Sequence, residues 1–391
     1  MLIGQDIAIL GAGVAGLAAA RALALRGAQV TVYERAPEIT EVGAGLQISP
    51  NGVAVLTALG LDAGSVAMRS NGVSLVDGLS GRTVLHMDFK RYKPDSLFLL
   101  MHRSDLIDLL ADGARQAGVQ IKLSHTVRDV VETPDSVSVL FENGVDTAPE
   151  QATHSVVIGA DGLHSKVRTQ LNGAAEPFFT GQTAWRATVP ALGGEETAAL
   201  VHMAAGKHVV CYPLRAGTLI NIVAVEERAE WTDEGWHHVG DPALLMDHFS
   251  NFGGGVTGLL SRVTKVSRWG LFRHPVAQRW YGARTALIGD AAHPTLPFLA
   301  QGANLALEDA WVLADCLANL PLDQALPAYQ SRRHARAARV IDVANGNARN
   351  YHLRGAKRVA GHMALRLGGA IAPRAVIDKF SWLYDVDVTA P

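Results

Sequence analysis

The stretch Asp6-Ile7-Ala8-Ile9-Leu10-Gly11-Ala12-Gly13-Val14-Ala15-Gly16 decides the fold of this chain. Asp6 to Leu10 is a short apolar run that ends in glycine, the pattern of a buried strand. Ala15 to Arg26 is rich in Ala and Leu with helical periodicity, and Gln29 to Tyr33 is again β-branched and strand-like. Strand, glycine turn, helix and strand make a βαβ unit, and G-x-G-x-x-G at its turn is a dinucleotide signature. Gly11 permits the tight turn, Gly13 lets backbone approach a pyrophosphate, and Gly16, next to the small Ala15, brings helix and strand together. Free amides and the dipole at the helix start favour phosphate. Glu34 closes the second strand, with Arg35 beside it. Its carboxylate can accept both hydroxyls of an adenosine ribose, and a 2′-phosphate there would be repelled.

A glycine triplet alone is weak evidence, and the chain carries its own decoy. Gly253, Gly255 and Gly258 fit the same spacing, but the flank from Leu244 to Phe252 reads as helix, so a loop between helices is expected there. Further along, Val156 to Ile158 and Thr285 to Ile288 are short apolar strands that run into Gly/Asp turns. Asn304 to Leu320 reads as a long Ala/Leu helix. Ser70 to Leu100 and Thr183 to Val225 alternate β-branched and polar residues, as antiparallel strands do, and helices are expected from about Leu326.

The fold class is therefore α/β: a Rossmann-like dinucleotide-binding domain with an inserted β-rich substrate domain and C-terminal helices. The expected boundaries are 1–70, 101–172 and 270–340 for the nucleotide domain, 71–100 and 173–269 for the substrate domain, and 341–391 for the helical segment. At 391 residues a division into two domains is expected. With 48% hydrophobic and 18% charged residues the composition is globular, and a formal charge of −2 gives no basic field for nucleic acid or an anionic membrane. Two distant cysteines, Cys211 and Cys316, exclude a disulfide scaffold and a cysteine-based zinc site. No H-E-x-x-H or similar metal-ligand spacing occurs among the histidines. No signal peptide or membrane-spanning stretch is visible, so the expectation is a cytoplasmic protein without stable membrane association.

Two later motifs separate the candidate cofactors. Gly159-Ala160-Asp161-Gly162-Leu163-His164-Ser165-Lys166-Val167-Arg168 follows one strand, and Gly289-Asp290-Ala291-Ala292-His293-Pro294 follows another, completed by Pro297 and Gln301-Gly302-Ala303-Asn304. These resemble the DG and GD motifs of the class A flavoprotein aromatic monooxygenases, the family of para-hydroxybenzoate, salicylate and 6-hydroxynicotinate hydroxylases. The match runs from the first strand to about residue 340.

The resemblance implies FAD as cofactor, with NADH or NADPH as transient co-substrate, since no second strand-borne G-x-G-x-x-G is present. It implies that Asp290 accepts a ribityl hydroxyl, that Asp161 serves both FAD and nicotinamide binding, and that Arg103 reaches the FAD phosphates. The helix starting near Gly302 would aim its amides at the flavin, beside Pro297, Ala303 and Asn304. Val42 to Asn51, including Gly45, looks like the family's loop beside the flavin ring. His293 is read as a structural residue there, with direct catalysis as the lesser alternative. The implied activity is hydroxylation of a small phenolic acid or hydroxypyridine with O₂ through a C4a-hydroperoxyflavin. The alternatives are a larger quinone precursor or polyketide, or an FAD-dependent amine or hydroxyacid oxidase. Phenols react faster as phenolates, so a base or hydrogen-bonding partner is expected. Tyr212 and His208 are the candidates, each with an ordinary core or surface role as the competing reading; Arg186 is the nearest guess for a carboxylate clamp. Homodimers are common in the family, although no interface signal is visible.

Overall fold

The computed structural model describes residues 1–39, 45–142, 150–229, 238–253 and 255–390. Its nucleotide side is a five-stranded sheet in the order Thr285–Leu287, Val156–Gly159, Asp6–Leu10, Gln29–Tyr33 and Gln120–Lys122. All neighbours in it run parallel. Parallel sheets are buried on both faces, and the central strand accordingly has Ile7, Ala8, Ile9 and Leu10 within the core. The helix Val14–Ala24 is almost wholly buried. It packs between the helices Arg103–Gln116 and Gly302–Asn319, and its run of alanines permits that close approach.

Register explains the site. Leu10 pairs with Tyr33 on one side and with Gly159 on the other, and Gly159 pairs with Leu287. The four strands therefore end level with one another. The glycine turn, Glu34, Asp161 and Asp290, distant in sequence, emerge along a single edge, where open parallel sheets bind their ligands.

The second large sheet has eight strands, in the order Val239–Gly240, Val266–Arg273, Phe178–Pro190, Leu219–Glu227, Lys207–Leu214, Ala198–Ala204, Gly72–Asp77 and Thr83–Asp88. One face, with Trp185, Ala187, Val209, Cys211, Ile222 and Ala224, packs under the helices Pro242–His248 and Val256–Leu260. Because side chains alternate, the other face carries Ala184, Arg186, His208, Val210, Tyr212 and Val223. It meets Leu296 and Phe298 from the loop after the GD motif.

Some local expectations change. The antiparallel reading of Ser70 to Leu100 holds for the hairpin of Gly72–Asp77 and Thr83–Asp88, yet Gly72–Asp77 pairs parallel with Ala198–Ala204. Leu99–His102 lies elsewhere, in a small antiparallel sheet with Gly45–Ile48 and Met68–Arg69. A further sheet of Val127–Glu132, Val137–Phe141 and Gln151–His154 was not foreseen. The decoy glycines behave as read: Gly255 is left-handed at φ 86° and caps the short helix Val256–Leu260. Long helices, Leu322–Tyr351 and Gly355–Ile371, dominate the C-terminal part. Among the described residues no helix is long and apolar enough to cross a membrane, and no His/Cys/Asp/Glu group could hold a metal.

Candidate functional site

The glycine turn is built for close approach. Gly11 has φ 103°, and a Cβ there would meet the Ala160 carbonyl oxygen at 2.5 Å. A Cβ on Gly16 would strike the Gly11 carbonyl oxygen. Gly13 has nothing within 4 Å of its missing Cβ, so the side facing away from the protein is open. The helix that follows has no side-chain cap and no acid in its first turn, leaving its first amides for an anion. Glu34 accepts from the Ala12 amide at 2.8 Å and from the Ala36 amide at 2.9 Å, which pins its carboxylate beside this turn; Arg35 is exposed next to it.

The GD turn lies against the first motif. Gly289 adopts φ 59°, and a Cβ there would meet Ala15 Cβ at 2.9 Å. Asp290 is open to the cleft yet surrounded by protein, and that enclosure pushes its carboxyl above the ordinary range against the pull of His293 and Arg103. The half-buried Arg103, first residue of the helix Arg103–Gln116, is thus brought near Asp290. Asp161 accepts from the Lys166 amide at 2.8 Å through Oδ2, while its Oδ1 is buried without a hydrogen-bond partner among the described residues. Burial raises its pKa. Arg168 joins DG to GD: its guanidinium donates to the carbonyl oxygens of Ala291, Ala292 and Pro275 at 3.1, 3.2 and 2.7 Å.

Pro297 opens the turn Pro297–Leu299, and Ala300 is left-handed at φ 52° just before the helix Gly302–Asn319. That helix also lacks a side-chain cap and an acid in its first turn, so the amides of Gly302, Ala303 and Asn304 face outward from its positive end. The Asn304 side chain is already committed. It accepts from the Ser49 amide at 3.0 Å and donates to the carbonyl oxygens of Gln47 and Ala300 at 3.1 and 2.8 Å. Only its backbone remains for a ligand. Val42, Gly43 and Ala44 of the expected flavin loop lie outside the described residues. Gly45 begins a strand, and its amide donates to Asn221 Oδ1 at 2.7 Å.

These features fit FAD: a glycine cradle open for a pyrophosphate, an acid pinned for a ribose, an orphaned buried carboxylate oxygen at Asp161, and an enclosed acid at Asp290 for the ribityl chain. FAD would lie along the sheet edge from Glu34 to the start of the helix at Gly302.

On the eight-stranded sheet, Tyr212 is buried, with its ring and hydroxyl against Gly45: a Cβ on Gly45 would meet Tyr212 Cε2 at 2.6 Å and its hydroxyl at 2.8 Å. Burial drives the phenol pKa well up, partly opposed by the charge of Arg186. Arg186 stands over the Trp269 ring at 5.6 Å. His208 is buried against Phe298 and Tyr351, with ring centroids 5.4 and 5.3 Å away, and its pKa is lowered by burial and by His352. The sheet therefore brings Tyr212, His208 and Arg186 to one face.

Sequence reading missed the ion cluster beneath the helix start. Arg333 pairs with Glu308 and, at 2.8 Å, with Asp309; Arg336 reaches Glu308 at 2.7 Å. Asn51 donates to Glu308 at 2.6 Å, and His293 Nε2 is hydrogen-bonded to Asp309. Burial pushes both carboxyls up, but the arginines and His293 outweigh it and hold Glu308 and Asp309 below the usual range. His293 is thereby a brace for the GD turn, since Asp309 also accepts the Gly289 amide at 3.0 Å. The only sequence signal was a pair of adjacent acids in a largely apolar helix, followed by arginines in the next.

Comparison with known proteins places the chain in a family. The model of the FAD binding domain family matches residues 5–344. The chain is 36% identical to the 3-amino-4-hydroxybenzoate 2-monooxygenase of Streptomyces cremeus over 359 residues, covering 89% of this chain and 88% of that protein. It is 32% identical to 3-hydroxybenzoate 6-hydroxylase 1 of Aquipseudomonas alcaligenes, covering 97% of each. A salicylate hydroxylase solved with its substrate superposes with a TM-score of 0.81 at 25% identity, covering 98% of this chain and 96% of that one. With a nucleotide edge shaped for FAD and relatives of this kind along nearly its whole length, the chain belongs to the FAD binding domain family, among the class A flavoprotein aromatic monooxygenases.

Proposed function

We propose that this enzyme hydroxylates a small phenolic acid, with O₂ and with NADH or NADPH as electron donor. The observation that carries the reading is the shared face of Arg186, His208 and Tyr212, turned toward the loop of Leu296 and Phe298 that follows the GD motif. FAD, when bound, supplies the activation of O₂ and the transfer of one oxygen atom to the ring. The protein supplies position, dryness and proton handling.

The two candidate residues divide the work by their acidity. Tyr212 stays protonated because burial raises its pKa, so it serves as a hydrogen-bond donor. His208 stays neutral because burial and His352 lower its pKa, so its ring can accept a hydrogen bond from the phenol; burial makes it a weaker base than free imidazole, and taking the proton then depends on passing it onward. Four residues apart on one strand, their backbones are roughly 13 Å apart and both side chains leave the same face of the sheet, so the two groups can meet different ends of one substrate. The charge of Arg186 favours the carboxylate at the Tyr212 end, leaving the phenol for His208. The relatives' substrates, 3-amino-4-hydroxybenzoate and 3-hydroxybenzoate, have both groups. In the same proposal Asp290, Asp161, Glu34 and Arg103 hold FAD. Two free buried thiols, Cys211 and Cys316, suit a reducing cytoplasmic setting, and a homodimer is compatible with this reading.

The test is a panel of hydroxybenzoates and hydroxypyridines, screened with FAD-loaded enzyme for stimulated NADH and NADPH oxidation. Hydroxylated product must be separated from hydrogen peroxide released without product. Stimulation with product from at least one phenolic acid is expected. Turnover of an amine or hydroxyacid without nicotinamide would replace the reading with an oxidase.

A further inference from the structure

We propose that His208, His352 and Glu227 form a proton relay that carries the phenolic proton of the substrate from the sheet face to the protein surface. The proposal rests on the hydroxylase reading above. His208 Nδ1 lies 2.7 Å from His352 Nε2, and His352 Nδ1 lies 3.0 Å from Glu227 Oε1. His208 and His352 are 2% and 3% exposed, whereas the Glu227 side chain is 42% exposed. Glu227 opens on a surface groove lined by Thr180, Gln182, Arg228 and Arg354. The chain of contacts thus begins in the interior and ends in water.

The carboxylate dictates the tautomers. An ionised Glu227 can only accept, so His352 Nδ1 must donate to it and neutral His352 presents a bare Nε2. His208 Nδ1 must then donate to that nitrogen, which leaves His208 Nε2 bare. A half-exposed surface acid in this way fixes a base more than one residue away, on the face where Tyr212 and Arg186 stand. In the transfer, the phenol O–H bond breaks and an N–H bond forms at His208 Nε2. The Nδ1 proton of His208 passes to His352 Nε2, the Nδ1 proton of His352 passes to Glu227, and one proton leaves to solvent. The substrate is left as phenolate and no electron moves.

The charged groups around the relay are accounted for. Arg354 pairs with Glu227 Oε2 at 2.6 Å, and, although burial acts the other way, Arg354 and His352 keep Glu227 below its ordinary pKa. The neighbours in sequence point elsewhere: Lys207 donates to the His248 carbonyl oxygen, and Glu226 accepts from Trp185 at 3.0 Å and binds His248 at 3.0 Å. Arg228 faces Glu226 at 3.8 Å. Tyr351 and Phe298 wall the His208 ring.

The experiment compares FAD-loaded wild type, His352→Leu and Glu227→Gln in single turnovers with 3-hydroxybenzoate and 3-amino-4-hydroxybenzoate. Flavin reduction by NADH and formation of hydroxylated product are followed separately. At neutral pH His352→Leu is expected to slow product formation by about 10-fold or more while reduction stays near wild type. The gap should close as pH rises toward about 10, where a free phenol arrives already ionised. Glu227→Gln, altered only at the surface, should show the same pH-dependent gap, smaller. A deficit in His352→Leu that is constant with pH, or no deficit in Glu227→Gln, overturns the relay. Wild type that hydroxylates neither phenol strikes the substrate reading first, and the relay falls with it.

Discussion

Asn221 accepts the Gly45 amide at 2.7 Å, so the eight-stranded sheet directly holds the start of the strand Gly45–Ile48. The contact leaves no room for a side chain. A Cβ on Gly45 would lie 2.8 Å from Asn221 Cγ and 2.6 Å from the Tyr212 ring. Gly45→Ala must therefore push Tyr212 aside. The expected result is FAD binding close to wild type with loss of coupling: more peroxide and less hydroxylated product per NADH consumed. Unchanged product yield would show that Tyr212 can move without consequence.

Asp290 gives the sharpest test of where FAD lies. Its carboxyl is enclosed and within reach of the Arg103 charge. A hydrogen bond from a ribityl hydroxyl to a charged acceptor contributes about 1.5–3 kcal/mol, so Asp290→Ala should weaken FAD binding about 10- to 100-fold in a fluorescence titration. Gly13→Arg, which fills the open side of the glycine turn, should give weakly flavinated protein by a steric route. Full FAD affinity in Asp290→Ala would move the ribityl chain elsewhere.

Tyr212 has a separable role if it holds the substrate rather than taking its proton. The Tyr212→Phe variant keeps the ring that packs on Gly45 and removes only the donor. Rapid-mixing measurements should show hydroxylation slowed more than flavin reduction, and KM raised more for phenols that carry a carboxylate than for those that do not. Equal effects on both half-reactions would remove the proposed role.

Much of the nucleotide side was legible because its signals are local. A strand, a glycine with positive φ and a helix start occupy consecutive residues, and Gly11 to Gly16 announce them all. The DG and GD turns follow the same grammar, and the parallel register then brings them together with little freedom left. The substrate side was less legible. Tyr212 and His208 could be nominated, but nothing local joins His208 to His352 across 144 positions. Glu308 and Asp309 read as helix acids, and their arginine partners lie a full helix away. The parallel pairing of Gly72–Asp77 with Ala198–Ala204 likewise depends on where two distant strands meet. Alternation along a strand shows which residues share a face; it does not show what covers that face.

The ion cluster under the flavin-side helix makes a prediction about acid. Arg333 is 1% exposed and contacts Glu308 and Asp309, both fully buried. Their carboxyls are held below the ordinary range in the folded protein, despite burial, by Arg333 together with Arg336 at Glu308 and His293 at Asp309. A depressed folded pKa means that the unfolded chain takes up protons first as pH falls. This stabilisation is therefore complete above the ordinary carboxylate range, about pH 4, and is lost as pH drops through the depressed values. Arg333→Met removes the cation and leaves the desolvation, which raises both carboxyls. The variant should lose about 3–5 kcal/mol at neutral pH, the usual cost of breaking one side of a buried pair. Its stability should also respond to acid with the opposite tendency, recovering part of the deficit as the unpaired carboxylates take up protons. Chemical denaturation of the FAD-loaded wild type and variant at several pH values would measure both. A deficit that does not shrink toward pH 4 would mean that Arg336 and His293 alone are enough to keep these acids ionised.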